Sequence, residues 1–248
     1  SRGFLPVHAP RVLLPVGEGV SGYEAGQIWH LLDQRVGMPV TKVDVSDAGR
    51  IDWSRYDVLV LVSGDLSFLE GARLDGLRAW IRSGGTLVAV RGAAAWAARN
   101  GLTPNVGAPT VGRTPGEESA EQDSERIDYG RSGELQGAQA IGGSIWQTDL
   151  DLTHPLGFGY TRRSLPVWRD HSFFFALPEN PYITVARLTD DPHLSGYVSD
   201  ENATRLAGSP SVIADQLGQG SVVLLIDNPN FNRLLLNALF FGDHIRAP

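Results

Sequence analysis

Four short, almost unbroken apolar runs, Val12–Val16, Val58–Val62, Leu87–Val90 and Val222–Ile226, constrain this chain more than any other feature. A strand with one wet face alternates apolar and polar side chains. A continuous run marks a strand covered on both faces, as in a parallel sheet held between helices. Pro15 has no N–H to give to a ladder, so the first strand is expected to fray or bulge there.

Helical periodicity fills the intervals. Ala25, Ile28, Trp29, Leu32 and Val36 share one face of a helix from about Tyr23 to Arg35, with Gly37 as its stop. Leu74, Leu77 and Ile81 mark a second helix ended by Gly84-Gly85, and Ala93–Ala98 a third that opens just after Gly92. The order strand, helix, strand, strand, helix, strand, helix predicts an α/β fold, a doubly wound and mostly parallel sheet flanked by helices.

Downstream the character changes. Between Arg113 and Glu134 seven acidic residues stand against three arginines, so residues 103–140 are expected to form an acidic, partly mobile excursion. Residues 143–216 turn β-rich, with expected strands at Ser144–Thr148, Pro166–Phe175, Tyr182–Leu188 and Gly196–Ser199, forming an extension packed on the core. Ser211–Gln216 and Ser221–Asp227 read as a hairpin re-entering the main sheet, and Leu234, Leu235, Ala238 and Phe241 as a closing helix. One domain over residues 1–248 accommodates all of this. Trp29, Trp80 and Trp96 are expected in the core, and Trp146 and Trp168 at a sheet edge or facing a partner domain.

Composition removes whole classes of function. A net charge of −7 without a basic run argues against a sequence-independent grip on nucleic acid. No apolar stretch approaches the ~20 residues that span a bilayer. The opening Ser1-Arg2-Gly3-Phe4 carries no signal-peptide pattern. The absence of cysteine excludes disulfides, thiolate metal sites and a cysteine nucleophile.

In an open α/β sheet ligands approach the carboxyl ends of the strands, where Gly17-Glu18-Gly19, Ser63-Gly64-Asp65 and Arg91-Gly92 should converge. The segment from Gly84 through Thr86-Leu87-Val88-Ala89-Val90-Arg91-Gly92-Ala93-Ala94-Ala95 has the pattern of a nucleophile elbow. There a tight turn thrusts one side chain out above a helix N-terminus. A working elbow carries Cys or Ser at the apex; this one carries Arg91, whose guanidinium stays protonated and cannot attack a carbonyl. No Gly-x-Ser-x-Gly occurs elsewhere.

That stretch, with Leu59-Val60-Leu61-Val62-Ser63-Gly64 before it, resembles class I glutamine amidotransferase-like domains. Four further stretches resemble, more specifically, the non-catalytic domain that follows the peptidase domain in certain bacterial zinc carboxypeptidases. They are the run from Gly17-Glu18-Gly19 through Tyr23-Glu24-Ala25-Gly26 to Arg35, Asp151-Leu152-Thr153-His154-Pro155-Leu156-Gly157-Phe158-Gly159-Tyr160, Asp191-Pro192-His193-Leu194-Ser195-Gly196-Tyr197, and Asn237-Ala238-Leu239-Phe240-Phe241-Gly242. The resemblance implies an amidotransferase-like (flavodoxin-like) fold, a peptidase domain upstream on the same polypeptide, and zinc held there, with no cofactor in this domain. It also implies an exported, periplasmic or secreted, protein. It further implies an acidic residue at the start of the first helix approaching the elbow, best matched by Glu24. A His after the last strand has no match, since Asp227-Asn228-Pro229 stands there, and the loop between Phe231 and Leu234 is shorter than the resemblance implies.

The expected site is therefore a pocket of Arg91, Gly92, Glu24, Glu18, Ser63 and Asp65, with no catalytic and no metal-ligating residue, in which Arg91 pairs with Glu24 or Glu18. His30 and Asp33 share a helix face but lack the third ligand a tight zinc site requires, and read as surface residues. His154 and His193 read as loop-fixing residues bonded to backbone. The leading function is a catalytically silent accessory domain of a zinc carboxypeptidase. The alternative is a small-molecule or carbohydrate-binding domain, its cleft around Arg91 taking a carboxylate or sugar ligand, and a weaker third option is a hydrolase with a non-standard site.

Overall fold

The computed structural model describes residues 7–110, 140–228 and 232–245. Its strands are β1 (Val12–Val16), β2 (Val40–Asp44), β3 (Val58–Leu61), β4 (Thr86–Val90), β5 (Ser144–Leu150), β6 (Ser164–Arg169), β7 (Thr184–Gly196), β8 (Pro210–Leu217) and β9 (Gly220–Leu225). They form one nine-stranded sheet in the order β2-β1-β3-β4-β9-β8-β7-β5-β6. Strands β2, β1, β3, β4 and β9 pair in parallel, while β8, β7, β5 and β6 continue antiparallel. The sheet is thus mixed. The expected parallel, doubly wound character holds for its first half only. The β-rich segment continues the same sheet edge to edge.

Helix α1 (Gly22–Trp29) runs directly into a π-helical segment, His30–Val36, that ends at Gly37 with φ 70°. The other helices are α2 (Ala72–Arg82), α3 (Gly92–Arg99), α4 (Asp200–Leu206) and α5 (Asn232–Phe241). Strand alternation sorts the core into two layers. Val58, Val60, Val88, Val90, Val223 and Leu225 join Ile28 and Leu32 beside α1 and Leu234, Leu235 and Ala238 of α5. Leu59, Leu61, Leu87, Ala89, Val222 and Leu224 join Leu77 and Ile81 of α2 and Ala93, Ala94 and Ala97 of α3. A continuous apolar run is what such two-sided burial requires.

Strand β2 was not among the four apolar runs because it is the outer strand, and its residues are half-buried or exposed. Pro15 neither frays nor bulges β1. It stays in register opposite Val43 of β2, and the ladder to β3 runs from Val12 to Leu13, ending before the missing N–H would be needed. Strand β6 stops at Arg169, short of the expected Phe175. Gly196–Ser199 is not a strand of its own: β7 runs to Gly196 through register shifts, and Ser199 caps α4, accepting from the Asn202 N–H at 3.2 Å. Trp80 is buried as expected and Trp29 and Trp96 are half-buried, while Trp146 is fully buried with Ile141, Val167, Leu188 and Leu206, so it faces no partner. The acidic 113–134 segment and Phe231, at the start of the Phe231–Leu234 junction, lie outside the described residues.

The β8–β9 turn presses on the end of α2. A Cβ built on Gly220 would overlap the carbonyl oxygens of Ile81 and Gly85, which are backbone and cannot rotate away. Gly220→Ala should therefore destabilise the fold by about 2 kcal/mol or more, as overpacking at a rigid contact does. Equilibrium urea unfolding checks this through a lowered midpoint.

Candidate functional site: a filled elbow

The turn from β4 into α3 places Arg91 at φ 50°, ψ −113°, and it is the one non-glycine residue with positive φ among the described residues. An L-residue with a Cβ loses roughly 1–2 kcal/mol in a left-handed conformation, so surrounding contacts must hold it there. They are visible. The Arg91 N–H donates to the Leu225 carbonyl at 2.7 Å, tying the apex to the end of β9. Gly92 N–H donates to Ser63 Oγ at 2.9 Å, and a Cβ on Gly92 would sit 3.0 Å from that oxygen, so any larger residue would have to push the Ser63 side chain aside by a few tenths of an ångström.

The side chain is held as tightly as the backbone. Arg91 Nη1 donates to Glu24 Oε1 at 2.7 Å, and Glu24 Oε2 accepts from the Ser63 N–H at 2.8 Å. Glu24 sits in the first turn of α1, whose N-cap Ser21 accepts from the Glu24 N–H, and it is 5% exposed. A carboxylate so buried is tolerated because both oxygens receive donors, one of them cationic. The outer side of the guanidinium, at Nη2, meets Asp170, and the Trp168 ring lies 5.2 Å from its centre.

Asp170 and Trp168 arrive from the far edge of the sheet. Trp168 and Asn228 exchange backbone hydrogen bonds at 2.8 and 2.9 Å, so the antiparallel half curls until β6 touches the segment leaving β9. Behind that contact lies a second, fully buried ion pair, Arg169 Nε to Asp227 Oδ1 at 2.9 Å. Burial pushes the Asp227 carboxyl up and the Arg169 guanidinium down, each opposed by its partner's charge. His171 stacks on Phe173 with ring centres 3.9 Å apart, and its Nε2 lies 2.9 Å from the Ile226 carbonyl. Burial, and then the Arg169 charge, hold its imidazole well below the ordinary 6.5.

Of the residues expected here, Arg91, Gly92, Glu24 and Ser63 are brought together. Glu18 and Asp65 are not: both are exposed, and Asp65 accepts from the Ser67 N–H at 2.9 Å. The loops carrying them are stitched by Ser21 N–H to Ser63 O at 2.8 Å and Asp65 N–H to Gly19 O at 2.9 Å, which fixes Glu24 inward and leaves the two acids outside. Asp170, Trp168, Arg169, His171 and Asp227 were missed. The available signal was the polar run Arg169-Asp170-His171 closing an otherwise apolar strand. His30 and Asp33 are exposed. His154 Nδ1 accepts from the Leu156 N–H at 3.1 Å and His193 Nε2 lies 2.9 Å from the Gly196 carbonyl, both in loop-fixing roles.

Chemically the site is closed on itself. The apex offers a permanent cation in place of a nucleophile, and Glu24 is engaged by that cation and by backbone.

With this geometry in hand, solved structures supply a frame. A structure described as a ThuA-like protein from Parabacteroides merdae ATCC 43184 matches over 95% of this chain and 90% of its own, with a TM-score of 0.63 and 17% identity. The chain has the class I glutamine amidotransferase-like fold. A second structure described as ThuA-like, from Bacteroides uniformis ATCC 8492, matches 95% of this chain and 92% of its own, with a TM-score of 0.51 and 11% identity. A structure described as a GMP synthase component from Thermoplasma acidophilum covers 96% of each chain at a TM-score of 0.50 and 13% identity. No protein-family model and no curated protein sequence matches the chain. At these identities the likeness speaks for the amidotransferase-like fold alone. No helix among the described residues is long and apolar enough to cross a membrane.

Removing the guanidinium strands Glu24. Arg91→Ala should cost about 3 kcal/mol, as loss of one partner of a buried pair does, and Arg91→Gly about 1 kcal/mol less because it relieves the positive φ. Urea midpoints of the two variants test the order. A second outcome concerns pH. Below 6.5 the unfolded chain takes up a proton that folded His171 refuses, so stability falls on acidification, by up to about 1.4 kcal/mol per pH unit. His154 is depressed by burial and acts in the same direction. His171→Phe should therefore flatten, but not abolish, the loss of stability between about pH 7 and about pH 5.

Proposed function

We propose that this chain is a catalytically silent amidotransferase-like domain serving as the accessory module of a zinc carboxypeptidase, exported with it on one polypeptide. The observation that carries the silent half of the reading is Arg91, seated at the strained apex and engaged by Glu24 and Asp170. Where hydrolytic members of the fold need a nucleophile, this chain has a charge already neutralised by its own carboxylates. The carboxypeptidase half rests on the Gly17–Arg35, Asp151–Tyr160, Asp191–Tyr197 and Asn237–Gly242 stretches, which resemble such accessory domains. Zinc and proteolysis belong to the upstream peptidase in this reading; the present domain supports it through stability or substrate access.

Two results are expected. The purified chain turns over neither amide nor ester substrates, with or without added zinc. The longer polypeptide releases C-terminal amino acids from peptides, and deletion of the region equivalent to residues 7–245 lowers its melting temperature or alters its kcat/KM. Turnover by the isolated chain contradicts silence; an upstream reading frame without a metallopeptidase contradicts parentage.

A further inference from the structure

A second feature lies on the same side of the sheet but shares no residue with the Arg91 network. Between α1 and the ends of β1 and β2 is an open cavity of about 270 Å³, walled by Val16, Gly22, Ala25, Gly26, Trp29 and Lys42. Gly22, Gly26 and Trp29 follow one another at helical spacing, one above the next along α1. Neither glycine has positive φ, and a Cβ built on either meets nothing within 4 Å. Glycine inside a helix is destabilising relative to alanine, which applies to Gly26, while Gly22 opens the first turn after Ser21; neither packing nor a positive φ calls for glycine at either position. What the missing side chains do is keep the floor of the cavity flat and clear beside an indole.

The charge at its rim is equally unusual. Lys42 is the single lysine of the chain, in a protein of net charge −7. Its Nζ lies 4.5 Å from the centroid of the Trp29 ring, and it forms no ion pair among the described residues. The Asp44 carboxylate, two residues along β2, accepts from the N–H and hydroxyl of Ser46 at 2.9 and 2.6 Å and makes no ion pair with Lys42. Pockets for small molecules combine an apolar or aromatic wall with few polar groups that set orientation and selectivity. An aromatic wall, a glycine floor and one cation without an ion pair among the described residues complement a flat, apolar molecule bearing one negative charge.

We propose that this cavity binds a small aromatic carboxylate, its ring lying on the Gly22–Gly26 floor against Trp29 and its carboxylate on Lys42. The site stands whether or not the accessory-domain reading holds.

The single lysine provides the probe. Protein labelled with 15N-lysine gives one backbone amide signal, at Lys42, which is followed while benzoate or indole-3-acetate is titrated against benzyl alcohol, benzylamine and acetate as controls. Both aromatic carboxylates should shift it saturably, and at least tenfold more tightly than any control. Gly26→Leu fills the floor and should weaken binding at least tenfold; Gly26→Ala, which should raise the melting temperature, serves as the milder filling if the leucine variant does not fold. Lys42→Met, followed through the 15N indole signal of Trp29, should erase the preference for benzoate over benzyl alcohol. Absence of a saturable shift with both aromatic carboxylates, an equal response to benzyl alcohol or acetate, or undiminished binding in the folded cavity-filled variant overturns the proposal.

Discussion

The contact between Arg91 and Glu24 sets the terms for the rest of this end of the molecule. It joins a residue held at positive φ to a carboxylate that is 5% exposed, and neither is tolerable without the other. The guanidinium needs contacts strong enough to keep a side chain over a left-handed turn, and the carboxylate needs a cation to offset its desolvation. Ser63 links the pair to the strand ends, bonding Glu24 through its backbone and the Gly92 N–H through its hydroxyl. The turn presents a guanidinium that is itself engaged by carboxylates.

The mixed sheet explains how the outer carboxylate reaches that pair. The parallel strands build the elbow, but Asp170 belongs to the end of β6, the last strand at the opposite edge. Only because the antiparallel half curls round does Trp168 meet Asn228 and bring Asp170 onto Arg91. The buried Arg169–Asp227 pair sits at the same seam. Charge on charge at the closure of a curled sheet is a specific joint, since removing one partner strands the other in a medium that penalises it.

The parallel core was legible because two-sided burial writes itself as continuous apolar runs, and the elbow because strand, single residue, glycine and small residues form a local pattern. Glu24 was legible through resemblance. Strand β2 hid at the sheet edge, where Thr41, Lys42 and Asp44 are exposed and no apolar run forms. Asp170 and Trp168 left no more than a polar run at a strand end, since their role depends on a pairing across some sixty residues and on the curl of a sheet, neither of which leaves a local periodicity. Glu18 and Asp65 failed for the opposite reason: their loops do converge, but the stitching between Gly19, Ser21, Ser63 and Asp65 spends the inward directions on backbone.

The measurement that reaches the central claim most directly is a double-mutant cycle on Arg91 and Glu24, using Arg91→Met, Glu24→Gln and the pair, with unfolding free energies from urea titration. A buried, mutually dependent pair predicts a coupling of about 2 kcal/mol or more, the double variant being far less damaged than the sum of the single ones. A coupling below about 0.5 kcal/mol, the level of independent sites, would contradict the view that this cation fills the elbow by pairing with that carboxylate.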